Sequence, residues 1–211
     1  MEPALNPSQR KDIRQSWLLT AFTETVEWGN RWLTISGWLF RKSHNIFVKL
    51  EIMIFLMTLF TFSLLFWIDR LPDWAGLTIS IVLIQRVIEF FIVYSRNFML
   101  NRGRIYSEFV DPSTRGQWLL LMFSFNILQL IFVFSTWYYY ISLKNPAAFS
   151  APLSRLDSLY YSIVTFSTIG YGEIVPLAVL PKILVITQAV LFFFIIVVVI
   201  NGLISLHFSR R

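Results

Sequence analysis

The chain has no cysteine, only two histidines and little charge, with 14% of its 211 residues Asp, Glu, Lys or Arg. Without cysteine, no disulfide holds its loops and thiol redox control is excluded. A haem buried in a helical bundle needs paired histidines at facing depths. His44 and His207 both fall near the cytoplasmic ends of apolar runs, so a membrane redox enzyme is rejected. There is no internal repeat and no low-complexity tract. Met1 to Gln15 is polar, with Arg10, Lys11 and Arg14. It lacks the apolar run and small-residue cleavage site of a secretory signal, so this end is expected to be retained and cytoplasmic. The net charge of +6 could suggest nucleic acid. Its concentration in a few loops argues instead for the cytoplasmic side of a membrane, with no nucleic-acid partner.

What is abundant is apolar: 56% of the residues, with a mean hydropathy of +0.62. That composition excludes a soluble domain with one core and indicates an all-α, multi-span membrane protein. Ser16 to Phe40 carries Trp17, Trp28, Trp32 and Trp38 but is broken by Glu24, Glu27, Asn30 and Arg31. It reads either as an amphipathic helix lying in the membrane interface or as a helix packed on its own protein. Ile46 to Ile68 is the first expected span, with Lys49 and Glu51 near its cytoplasmic end, where Lys49 can snorkel. Pro72 in the turn Asp69 to Asp73 is expected to stop the helix. Trp74 to Tyr94 returns as the second span and completes a hairpin. Ser95 to Gly116 is basic, and Gln117 to Leu143 is an uncharged run of 27 residues, long enough to span with tilt. Ser154 and Asp157 form a capping-box signature for a short helix over about Arg155 to Phe166. Ile183 to Leu206 is the last apolar run, and its helix is expected to begin near Pro181.

Between the last two long runs lies Thr165-Phe166-Ser167-Thr168-Ile169-Gly170-Tyr171-Gly172-Glu173. Two glycines flank one tyrosine, and a hydroxyl residue stands two positions before the first glycine. Glycine reaches backbone angles closed to other residues, so alternate carbonyls can turn to a common axis. The segment resembles the pore loop of tetrameric potassium channels, written T-x-x-T-x-G-Y-G-D. The resemblance runs from about Gln117 to Arg211 in the order outer helix, pore helix, filter, inner helix. It implies four transmembrane helices plus a re-entrant pore helix and selectivity filter, assembled as a homotetramer. It assigns K⁺ coordination to the backbone carbonyls of Thr168, Ile169, Gly170 and Tyr171 and to the Thr168 hydroxyl, with Gly172 completing the filter. No cofactor is implied; K⁺ is the permeant ion. A non-selective cation channel of the same fold is the alternative, and the intact Thr168 to Gly172 segment argues against it. An active transporter subunit would usually fuse four such repeats in one chain.

The sequence departs from the family pattern in several places. Ile169 stands where valine is usual, Glu173 replaces aspartate, and Tyr160 and Tyr161 occupy the positions of a pore-helix aromatic pair. Glu173 either accepts a hydrogen bond from Tyr160, holding the filter from behind with Tyr161 and Thr165, or is solvated at the outer mouth. The family's hinge glycine is missing near Phe192. The only inner-helix glycine is Gly202, beside Asn201. Phe193, Ile196, Ile200, Ile204 and Phe208 share one helical stripe, and a hydrophobic gate is expected at Ile200, Ile204 and Phe208, with Gly202 letting the last turns splay.

Arg86 and Glu89 lie inside the second span, three residues apart. Only Arg86 is deep, whereas a voltage sensor carries arginine at every third position. A local ion pair, with Lys49 or Glu51 of the first span nearby, is therefore expected. The positive-inside rule places both termini in the cytoplasm and the filter outside. The expected divisions are a cytoplasmic segment with an interfacial helix (1–45), a transmembrane hairpin (46–95), a cytoplasmic interfacial linker (96–116) and a pore domain (117–211). Membrane lipid and a separate regulatory subunit are the expected further partners, and a cell membrane, in particular a bacterial inner membrane, is the expected location.

Overall fold

The computed structural model describes residues 17–32, 46–95 and 115–208. Within them the chain forms α1 (Trp17–Trp32), α2 (Ile46–Trp67), α3 (Asp73–Tyr94), α4 (Arg115–Lys144), α5 (Arg155–Phe166) and α6 (Val179–Phe208). Among the described residues, four helices are long and apolar enough to cross a membrane, and they fall in α2, α3, α4 and α6. The spans thus lie where the apolar runs put them. The linker between α3 and α4, read as interfacial, lies outside the described residues.

Pro72 has a second role beside the expected one. The first span ends in a single 3-10 turn, Ile68–Arg70, with the pre-proline residue Leu71 extended, and Pro72 is the N-cap residue of α3. Its carbonyl accepts from Ala75 and Gly76, so proline also starts the second helix. The inner helix begins at Val179, which leaves Pro181 in its first turn, where a missing N–H costs nothing.

The hairpin packs on the outer helix, and the outer helix packs on α5 and α6. Side chains from α2, α3, α4, α5 and α6 meet in one apolar cluster, including Leu64, Leu83, Phe134, Tyr138, Tyr161 and Leu191. A second cluster joins Phe90 and Tyr94 of α3 to Phe123, Phe166 and Ile195. Close approach is built in at Gly76, where a Cβ would lie 2.5 Å from the Tyr140 hydroxyl oxygen. Helix α1 packs on α3. Val26 is buried, and a Cβ on Gly29 would lie 2.8 Å from Ile92 Cδ1. Trp28 and Trp32 point away from that contact and are 59% and 71% exposed.

Candidate functional site

Helix α5 starts with the expected capping box. The Ser154 hydroxyl accepts from the Asp157 amide at 3.1 Å, and the Asp157 carboxylate accepts from the Ser154 amide at 3.0 Å. These bonds hold the Asp157 carboxyl below its usual range. The helix ends in a Schellman motif. Thr168 N–H donates to the Thr165 carbonyl at 3.1 Å and Ile169 N–H to the Val164 carbonyl at 3.1 Å, which is the paired 5→2 and 6→1 pattern. The left-handed residue of such a motif is usually glycine. Here it is Thr168, with φ of 58°.

From that point every second residue is left-handed: Thr168 at φ 58°, Gly170 at 57° and Gly172 at 85°. Ile169 and Tyr171, between them, are not. Two of the three positions carry glycine, which bears no penalty there, while Thr168 is held by the helix-end hydrogen bonds. Gly170 N–H also reaches the Val164 carbonyl, at 3.4 Å, so two successive loop amides hang from one carbonyl of the pore helix. Among the described residues, chain neighbours apart, nothing lies within 4 Å of a Cβ built on Gly170 or Gly172. Ile169 and Tyr171 are 54% and 69% exposed, so the loop stands clear of its own chain.

Behind the loop, the Tyr160 phenol donates to the Glu173 carboxylate. That bond is the main reason the Tyr160 pKa is pushed up to about 12. Tyr161 turns the other way. It meets Tyr138 and Phe149 edge to face at 4.9 and 5.7 Å. Burial pushes the Tyr161 phenol up. The segment after the loop is clamped to the turn before α5. Ser150 N–H donates to the Val175 carbonyl at 2.9 Å, Val175 N–H donates to Ser150 Oγ at 3.1 Å, and Leu177 N–H donates to the Ala148 carbonyl at 2.8 Å. Sequence reasoning missed this clamp, because a lone serine in a loop carries no signal for it.

Arg86 and Glu89 pair at 2.5 Å, and Arg86 also donates to Gln129 Oε1 of the outer helix at 3.0 Å. The deep arginine thus ties α3 to α4. The side chains of Lys49 and Glu51 lie outside those described. So do those of Ile200, Asn201, Gly202, Ile204 and Phe208, although the backbone of α6 is helical through Phe208. Of the proposed stripe, Phe193 and Ile196 are described, and both are exposed.

Residues 126–208 match the ion channel family. Over 79 residues the chain is 35% identical to Two-pore potassium channel 4 of Arabidopsis thaliana, a stretch covering 36% of this chain and 27% of that protein. The chain therefore spans about a quarter of the length of this curated relative. No solved structure matches. The matched region begins in α4 and contains α5, the loop and α6, so the pore-helix and loop residues just described fall within the stretch that resembles an ion channel.

Proposed function

We propose, on the premise that residues 126–208 belong to the ion channel family, that this protein is a potassium-selective channel conducting K⁺ passively. The observation that carries the proposal is the alternation of left-handed residues at 168, 170 and 172. Such alternation turns successive carbonyls toward one side, and a row of carbonyls replaces the hydration shell of a dehydrated K⁺. Thr168, Ile169, Gly170 and Tyr171 would supply those oxygens, with the Thr168 hydroxyl below them. The C-terminal end of α5 carries partial negative charge and favours a cation beneath the filter. The protein needs no cofactor beyond the permeant ion.

One chain supplies one strand of such a filter, so the working unit is a homotetramer. The exposed Ile169 and Tyr171 support this, since the described residues of their own chain leave more than half of each uncovered. A hydrophobic gate belongs where α6 carries Ile200, Ile204 and Phe208 beside Asn201 and Gly202. Four apolar side chains per layer close a pore by dewetting. The protein sits in a cell membrane, a bacterial inner membrane in this reading, with both termini cytoplasmic. Lipid surrounds it, and a separate regulatory subunit is open to it as a partner. Purified protein in liposomes should pass K⁺ and leave Na⁺ behind. Equal flux of both ions would favour a non-selective channel of the same fold.

A further inference from the structure

Gln188 lies in the middle of an apolar span and is fully buried. An amide there is costly unless every hydrogen-bonding group is used. All are used. Tyr138 Oη donates to Gln188 Oε1 at 2.7 Å, and Gln188 Nε2 donates to the Ser162 carbonyl at 3.0 Å and to Ser162 Oγ at 3.1 Å. Ser162 Oγ in turn donates to the Ile131 carbonyl at 2.9 Å. One polar cluster therefore joins the outer helix, the pore helix and the inner helix.

Its placement matters more than its burial. One turn further along both α5 and α6, Phe166 meets Phe192 edge to face at 5.7 Å. The inner helix thus touches the last turn of the pore helix at two successive rungs, Gln188 on Ser162 and Phe192 on Phe166. Between these rungs lies Val164, whose carbonyl receives the amides of Ile169 and Gly170. A shift of the inner helix along the pore helix would break the Gln188 rung or move the carbonyl from which the loop hangs.

We infer that Gln188 is a positioning residue for ion selection: it fixes the register of the inner helix against the pore helix and thereby the geometry of the loop. This rests on the proposed K⁺-filter reading. A buried amide that merely stabilised the bundle would act equally in any salt, whereas a positioning residue acts on ion binding.

The test is thermal dissociation of the assembled protein at matched K⁺ and Na⁺ concentrations, with the K⁺/Na⁺ permeability ratio in liposomes. The variants are Gln188→Met, which removes the rung at similar volume, and Tyr138→Phe, which frees one end of the amide. Gln188→Met should raise the K⁺ concentration giving half-maximal protection by about tenfold, the size expected when buried polar groups lose their partners. Tyr138→Phe should shift it in the same direction by less, and decides the matter if Gln188→Met does not assemble. Equal losses in both salts, with unchanged half-protection and permeability ratio, would overturn the inference. A wild-type protein that shows no preference for K⁺ in either readout removes the filter reading, and this inference with it.

Discussion

The Tyr160 phenol donates a hydrogen bond to the Glu173 carboxylate, tying the middle of the pore helix to the residue that follows Gly172. The two are 13 residues apart, so the bond spans the whole loop from behind. The longer glutamate chain, in place of aspartate, reaches a tyrosine hydroxyl. Tyr160→Phe removes the donor and leaves the ring. It should raise the K⁺ concentration needed to protect the protein from heat, or speed the decay of current, while the oligomer still assembles. Unchanged selectivity together with unchanged decay would remove Glu173 from any role behind the filter. The tyrosine titration gives an independent check. A folded pKa near 12, against 10 for a free tyrosine, means the bond contributes fully below about pH 10 and is lost as pH rises through 12. Tyrosinate absorbance of wild type minus Tyr160→Phe should therefore show one late-ionising phenol.

Arg86 and Glu89 are both buried, and Gln129 shares their hydrogen bonds. Removing one partner strands the other charge. Arg86→Met or Glu89→Leu alone should destabilise the protein by about 3–5 kcal/mol, whereas the double variant should recover most of that. Denaturation midpoints of the three variants decide it. Full additivity of the two losses would show that the pair does not act as a unit. With one deep arginine held this way, current should depend only weakly on voltage.

Asp69, at the turn of the hairpin, pairs with Arg155, the first residue of the pore helix, and the Arg155 guanidinium stacks over Tyr139 at 5.3 Å. A cation in the first turn of a helix is unfavourable, so the aspartate offsets a local penalty as well as joining two elements. Asp69→Arg and Arg155→Asp should each lower the thermal midpoint slightly at low salt, and the double reversal should restore it. The pair is partly exposed, so high salt should erase the difference. Losses that persist at high salt would point to packing instead.

The cysteine-free chain makes topology direct to measure. Leu71→Cys lies in the exposed turn between α2 and α3. A membrane-impermeant thiol reagent should label it on intact cells, and should label Ser8→Cys only after permeabilisation. Labelling of both from the same side would refute the orientation read from the basic loops.

The spans and the pore helix were legible because length, hydropathy and the Ser154–Asp157 box are local signals. The hydrogen bonding that closes the pore helix after Phe166 was not. A Schellman motif is normally announced by glycine, and here Thr168, noted in the sequence only for its hydroxyl, takes the left-handed position. Gln188 was illegible for another reason. A single amide in an apolar helix gains its meaning only from Tyr138 and Ser162, 50 and 26 residues away. The tryptophan-rich segment left two readings open, and α1 has features of each. Val26 and Gly29 face α3 while Trp28 and Trp32 stay exposed.

Selection of K⁺ by the loop from Thr168 to Gly172 is the property on which the proposed function stands. The most direct measurement is the reversal potential across a planar bilayer holding purified protein, with K⁺ on one side and Na⁺ on the other. At equal concentrations the wild-type value should lie far from zero, with the side holding K⁺ negative. In Gly172→Asp, where φ is 85°, and in Tyr171→Ala it should move toward zero. A wild-type reversal potential near zero, or both variants as selective as the wild type, would contradict the account.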